Sequence, residues 1–345
     1  MARTGSFSMN RRNSAWMERG GWPWLAFVAV AAVLPLVLRE FHVHLLTEIL
    51  ILGLFAAAFN LLFGYTGLLS FGQAAYFAIG AYACALWLKG PWPSLPVGLI
   101  AGAVLAAAAA LVVGYLCVRR DEIYFAMVTL ACGQLIFVAL WRWREVTGGS
   151  DGIGGIPRPP LDLGAWALNL APTLHFYYFT LAVVAGALYV LWRITRSPFG
   201  LALRAVRDNH RRVDYLGLPM RRYRLAAFTV SGLFCGLAGA LFAPYQGTIT
   251  PVLADWMWSA EPVMMTLLGG PAVFGGPVLG AALITLLKDF VASETEYWPL
   301  LVGTAVVLLV LFLPGGVGGA VRDAAVGWRA PSPPIKAGDA GEEAV

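Results

Sequence analysis

Long apolar stretches recur along this chain, and arginines punctuate them. The stretches run over 24–38, 45–63, 67–88, 95–118, 123–141, 176–192, 225–245, 261–287 and 299–313. A helix needs about 20 such residues to cross a bilayer. Only helices and closed barrels satisfy their backbone polar groups there, and runs of this length are helical. Charged residues make up 12% of the chain, about half the roughly 25% of a soluble domain. That is too little to cover the surface of a soluble fold of 345 residues. The composition therefore reads as an all-α membrane protein, a polytopic helical bundle of about 8–10 transmembrane helices with broken or re-entrant segments.

Glycine and proline mark the breaks. Pro35 kinks the first, short stretch. GGPAVFGGP at 269–277 carries two glycine pairs and two prolines, which one continuous helix does not accommodate. The stretch 261–287 therefore reads as a broken or re-entrant pair.

Nine arginines fall within the 32 positions 193–224, between two apolar stretches. Basic residues collect on the cytosolic side of membrane helices. With 193–224 cytosolic, alternate crossings also place Arg119, Arg120 and the arginine-bearing N-terminus inside. The chain then divides into a cytosolic tail at 1–23, a membrane domain at 24–319 and a disordered cytosolic tail at 320–345. Within the membrane domain 142–175 is an external loop. No small-residue cleavage site precedes the second apolar run, so the first helix is read as retained.

Several chemistries are excluded. The chain has three lysines, Lys89, Lys288 and Lys336, and none sits in a GxxxxGK[ST] phosphate loop. Any ATP hydrolysis must come from another chain. No HExxH, GxSxG or paired catalytic carboxylates occur, so the chain reads as no enzyme, with no cofactor and no metal of its own. His42 and His44, two residues apart before a helix, read as interfacial. The net charge of +5 comes from membrane-flanking arginines and does not mark nucleic acid. Cys84, Cys117, Cys132 and Cys235 lie inside apolar runs and read as small core residues. Glu48 and Glu261 lie near span ends, and Lys288 and Asp289 read as neutralising each other.

The segment NLLFGYTGLLSFGQAAYFAIGAY (60–82) mixes glycines with small residues, which let helix backbones approach closely. Gly64 to Gly67 also frees the helix to break. Polar side chains at span depth are costly unless they meet a cavity or a partner. Asn60, Ser70, Gln73, Tyr76, Thr129 and Gln134 are accordingly candidates for lining a translocation path. The same residues also fit helix packing with satisfied polar groups, and both readings stand.

The 60–82 segment resembles the glycine-punctuated signature of the permeases of branched-chain amino acid ABC transporters. TGGSDGIGGIP (147–157) is similar to the external loop of their LivM-type subunit. RSPFGLALRAVRDN (196–209), LGLP (216–219), GLAGALFA (236–243), LLGGPAVFGGPVLGA (267–281) and FLPGGVGG (312–319) follow in the family's order. The resemblance covers about 45–319. It implies a permease subunit of an ATP-driven importer, multi-pass in the bacterial cytoplasmic (inner) membrane. Its partners would be a second, homologous permease, two cytosolic ATP-binding subunits, an external solute-binding protein and membrane lipid. The implied solutes are leucine, isoleucine and valine. Urea, amides or other amino acids are the alternative within the class, and an ion-coupled secondary transporter is the alternative outside it. The resemblance also implies that Ser150, Asp151 and Gly152 lie where the binding protein docks.

Within 193–224, Ser197-Pro198 reads as a helix start, with Ser as cap, and Gly217 and Pro219 read as its stop. The helix 198–216 would hold 19 residues, about 28 Å. Ala202, Val206, Val213 and Leu216 fall on one apolar stripe interrupted by Asn209, with Arg204, Arg207, Arg211 and Arg212 off it. The segment fits an interfacial helix with snorkelling arginines or, as the resemblance implies, a coupling helix seated in an ATPase. In the second reading those arginines, Asp208, Asp214 and Gly217 make the contact. The Glu and Ala-Ala expected of such an element are replaced by His210-Arg211-Arg212-Val213.

Overall fold

The computed structural model describes residues 29–35, 39–119, 122–162, 167–215, 217–292, 298–312 and 315–320. The tails 1–23 and 321–345 lie outside the described residues. After a helical stretch at 29–35 come α1 (Glu40–Thr66), α2 (Gln73–Leu88), α3 (Leu95–Cys117) and α4 (Glu122–Arg142). An irregular segment leads to α5 (Thr173–Arg196), α6 (Pro198–Asp208), α7 (His210–Tyr215) and α8 (Met220–Gln246). The chain continues through α9 (Trp256–Gly269), α10 (Gly276–Ala292) and α11 (Trp298–Phe312). Short helical turns at Arg144–Thr147, Gly149–Asp151, Pro251–Ala254 and 316–320 and four two-residue strands complete the described structure: β1 (Ile153–Gly154), β2 (Leu161–Asp162), β3 (Ala167–Leu168) and β4 (Thr248–Ile249). The chain is an all-α polytopic membrane protein. Among the described residues five helices, α1, α3, α4, α5 and α8, are long and apolar enough to cross a bilayer singly.

The core is a crossing of α2, α3 and α8 built from small residues. A Cβ on Gly80 would stand 2.0 Å from the Gly236 carbonyl oxygen, and one on Gly102 would stand 2.7 Å from that of Gly80. A Cβ on Gly236 would meet Ala106, and one on Gly232 would meet Ala110, at 2.2 and 2.3 Å. Lipid tails are as apolar as leucine, so packing fit and not water exclusion holds such helices together. GLAGALFA and the glycines of 60–82 supply that fit. α1 lies against α8, α5 and α10 and is buried over most of its length.

Side-chain contacts sort the helix ends into two groups. At one end the His44 ring stacks on Tyr245 at 4.3 Å. There Arg158 donates to the Pro244 and Tyr245 carbonyls at 2.8 and 3.0 Å and lies 4.6 Å over the Phe176 ring. Burial lowers the Arg158 pKa from its ordinary value. At the other end are the start of α8, the ends of α1, α3 and α5, the amphipathic α6, the short α7, and the arginines of 193–224 with Arg119.

The stretch 261–287 is indeed two helices, and the first begins earlier, at Trp256. α9 and α10 form an antiparallel hairpin. A Cβ on Gly269 would fall 1.8 Å from the Gly276 carbonyl oxygen, and one on Gly280 the same distance from that of Met265. Lys288 pairs with Glu261 across the hairpin. Adjacent helical residues point about 100° apart, whereas antiparallel neighbours face each other.

Candidate functional site

Two breaks in the helical backbone organise the interior. At the first, α1 stops at Gly67, which adopts a positive φ of 75°, and Leu68 N–H donates to the Leu62 carbonyl at 3.2 Å. Residues 67–72 then run as irregular backbone to Gln73, with Leu68, Ser70 and Gly72 buried. Non-helical backbone at span depth must be enclosed by protein or line a cavity, and here side chains enclose it. Phe71 N–H donates to Thr129 Oγ1 at 3.3 Å, Gly72 N–H to Ser70 Oγ at 3.4 Å and Ala74 N–H to Ser259 Oγ at 3.1 Å. α4 presses on this segment: a Cβ on Gly72 would sit 2.6 Å from the Thr129 carbonyl oxygen.

The second break, 270–275, separates α9 from α10. Gly270 has φ +95°, and a Cβ on it would lie 2.3 Å from the Gly315 carbonyl oxygen. Asn60 Nδ2 donates to the Pro271 carbonyl at 3.3 Å. The last two turns of α1 thus hold the second break as well as leading into the first.

The path candidates come together around these breaks, but five of the six are interior. Asn60, Ser70, Gln73, Tyr76 and Thr129 are buried. Gln73 Oε1 accepts from Ser231 Oγ at 3.4 Å and Cys235 Sγ at 3.2 Å, and Ser231 also donates to the Ala58 carbonyl at 2.7 Å. The Tyr76 ring packs edge-on against Phe228 at 5.6 Å. Thr129 Oγ1 donates to the Ala126 carbonyl at 2.9 Å. Asn60 Oδ1 and Gln73 Nε2 are buried without a hydrogen-bond partner among the described residues. Gln134 alone is half-exposed, and its Nε2 donates to Asp255 Oδ1 at 3.0 Å. Sequence reasoning missed Asp255, Ser231 and Ser259. The available signal was an Asp directly before an apolar run, which is an N-cap pattern.

The arginine segment differs from its expected single helix. Asn209 is extended, with φ −162° and ψ 98°, and splits 198–216 into α6 and α7. It closes α6 through its N–H and opens α7 through its carbonyl, which accepts from Val213 at 3.3 Å. Asparagine favours such junctions because its side chain competes for backbone groups. Ser197 occupies the N-cap position, but its hydroxyl donates backwards to the Ile194 carbonyl at 2.7 Å. The buried face is Gly200, Leu203, Val206 and Val213; Ala202 is only half-buried, and Leu216 lies outside the described residues.

Two of the arginines assigned to an outside partner reach inward. Arg207 donates to the Gly64 carbonyl, and its stem would contact a Cβ on Gly67 at 3.2 Å. Arg204 lies 5.0 Å over the Tyr65 ring and reaches the Thr195 carbonyl at 3.5 Å. A cation suits the C-terminal end of α1, where carbonyls lack intrahelical partners. Asp208 and Asp214 are exposed, Arg211 and Arg212 lie on α7, and Gly217 follows it, exposed, with φ +73°.

At the opposite end the 147–157 loop folds tightly. Ser150 Oγ donates to Asp151 Oδ1 at 3.1 Å, both residues being exposed. Gly152, φ +71°, lets the loop approach β4: a Cβ there would fall 2.0 Å from the Ile249 carbonyl oxygen. Beyond it Ile153 pairs with Ile249 and Gly154 with Thr248, antiparallel.

Comparison with known proteins places this architecture. Residues 41–312 match the family described as branched-chain amino acid transport system / permease component. The high-affinity branched-chain amino acid transport system permease protein LivM of Escherichia coli (strain K12) is 32% identical over 85% of this chain and 73% of its own length. The corresponding LivH protein of that strain is 23% identical over 77% of this chain and 90% of its own. The probable LivM of Methanocaldococcus jannaschii is also 23% identical, over 75% of this chain and 87% of its own. No solved structure gives a significant match. A membrane bundle broken at two glycine-rich points, matched in family across its whole helical core, makes this chain a LivM-type member of the branched-chain amino acid ABC transporter permease family.

Proposed function

We propose that this chain forms, with a second homologous permease, the path by which an ATP-driven importer carries leucine, isoleucine and valine across the bacterial inner membrane. Two cytosolic ATPases would dock on α6 and α7, and an external solute-binding protein on the loop at Ser150, Asp151 and Gly152. The solute class rests on the names of the relatives. The coupling half rests on one observation: the amphipathic α6 is fastened by Arg207 to the Gly64 turn of α1, the turn that also carries Asn60 and holds Pro271. A push on α6 from a partner would therefore reach both helical breaks through packed, hydrogen-bonded groups.

In this reading Arg204 and Arg207 act as the internal half of the coupling, while Arg211, Arg212, Asp208, Asp214 and Gly217 are left for the ATPase. The buried Asn60, Ser70, Gln73, Tyr76 and Thr129 hold the discontinuous backbone beside the path, and Gln134 faces it. Transport then needs no tight site in this chain, because the binding protein selects the solute outside.

The test is reconstitution of the complete importer in vesicles. ATP-dependent uptake of leucine, isoleucine and valine supports the proposal. Uptake that ignores ATP and follows an ion gradient, or uptake of urea alone, defeats it. Gly217→Trp should hydrolyse ATP without moving solute, and normal uptake by that variant would remove the coupling role.

A further inference from the structure

Asp255 is the N-cap of α9, and its Oδ1 accepts from both Trp256 N–H at 2.8 Å and Gln134 Nε2 at 3.0 Å. Gln134 sits about 12 Å short of the Arg142 end of α4, at about 1.5 Å per residue. That end carries exposed Trp141 and Trp143, the type of ring that marks a membrane interface. The Thr250–Asp255 segment therefore carries a carboxylate back down among the helices. Among the described residues no cation pairs with it. Glu261, by contrast, has Lys288; Glu48, like Asp255, accepts from a neutral donor, the Tyr245 hydroxyl at 3.1 Å. A half-buried carboxylate with only neutral donors, facing lipid at this depth, would be costly. It is tolerable where a water-filled path or a mobile cation meets it.

The surroundings define what that cation carries. Tyr124, Met127, Ala131, Val138 and Trp141 lie on the same stripe of α4 as Gln134, spaced three and four apart, and all are exposed. A shallow hollow of about 270 Å³ lies at its outer end, between Phe137, Val138, Trp141 and Arg142. Val252, Trp256 and Met257, exposed beside Asp255, extend the apolar surface. One carboxylate on a wide apolar wall complements a solute with one ammonium group and an aliphatic side chain.

We propose that Asp255, oriented by Gln134, receives the α-ammonium group of a zwitterionic aliphatic amino acid as it passes along the α4 face. This rests on the import reading above and adds a specificity-determining residue to it. A neutral solute such as urea would have no use for the charge.

The test separates charge from capping. Asp, Asn and Ser cap helices about equally well, so Asp255→Asn and Asp255→Ser keep α9 and remove only the charge. In vesicles holding the complete importer and leucine-loaded binding protein, both variants should lose roughly tenfold or more in leucine uptake, the scale of one charged hydrogen bond. Asp255→Glu should recover part of it, and ATP hydrolysis should persist in all three. Gln134→Leu, which keeps both cap and charge, should raise KM several-fold with little change in kcat. Wild-type uptake by the Asn and Ser variants would assign Asp255 to capping alone and overturn the proposal. Failure of those variants to assemble would overturn it too, by giving the charge a structural role. If wild-type vesicles import leucine, such results strike this inference only. If they import no α-amino acid, the import reading falls first and this one with it.

Discussion

α1 and α4 have the same mean hydropathy, 2.1, yet 83% of the apolar window of α1 is buried against 17% for α4. Hydropathy states that lipid would accept either helix. It does not state whether lipid is what each one meets. In a bilayer no water drives helices together, so the helix that becomes core is the one whose neighbours fit. α1 gives α10 a groove at Gly53, where a Cβ would stand 3.2 Å from Val278, and offers the Ala56 and Ala58 carbonyls to Thr266 and Ser231. α4 contributes one tight strip, around Thr129 and Gly133, and turns Met127, Leu135 and Val138 outward. One helix is a structural axis; the other is a surface awaiting the second permease, the solute or lipid.

The sharpest way to break this contrast is truncation. Phe55→Ala on α1 should cost about 3–5 kcal/mol by leaving a cavity in the packed interior. Leu135→Ala on α4 should stay within about 0.5 kcal/mol. Reversible unfolding in mixed micelles measures both, and equal losses would end the distinction. Arg207→Ala removes a charged hydrogen bond at the end of α1, on the scale of about 1.5–3 kcal/mol. Its expected signature is a fall in solute moved per ATP, read from paired uptake and phosphate-release assays. Gln73→Leu takes the acceptor from the buried Cys235 thiol, while Ser231 keeps the Ala58 carbonyl; it should cost about 1–3 kcal/mol in stability, with solute selectivity unchanged in competition uptake. A selectivity change would move Gln73 from scaffold to path. The smallest effect is Val138→Ala, which should leave the melting of the subunit alone within about 0.5 kcal/mol. Its expected consequence is weaker co-purification with the second permease. Undisturbed co-purification would leave that stripe to the solute or to lipid.

The breaks were legible because glycine and proline act locally. GGPAVFGGP could not be one helix, and Gly67 supplies the positive φ that ends α1. The split at Asn209 was less legible, since a lone asparagine in a helical pattern costs only tenths of a kcal/mol to about 0.7 kcal/mol. Its effect depended on α6 being held by Arg207 and Leu203. The arginine cluster was legible as a group, but the inward turn of Arg204 and Arg207 was not. That turn requires the ends of α1 and α5 to stand beside α6, an arrangement more than a hundred residues apart in the chain for α1. Asp255 escaped notice for the same reason. Its cap role is local, but its setting depends on Gln134 arriving from α4.

By itself the sequence determined the class of fold, the breaks at the glycine- and proline-rich points and the family, because hydropathy, backbone freedom and motif order are properties of consecutive residues. Only the tertiary structure decided which face of each helix is core, which arginines turn inward and which polar side chains are left half-exposed. In lipid those outcomes depend on close steric fit between distant segments, and hydropathy is blind to fit.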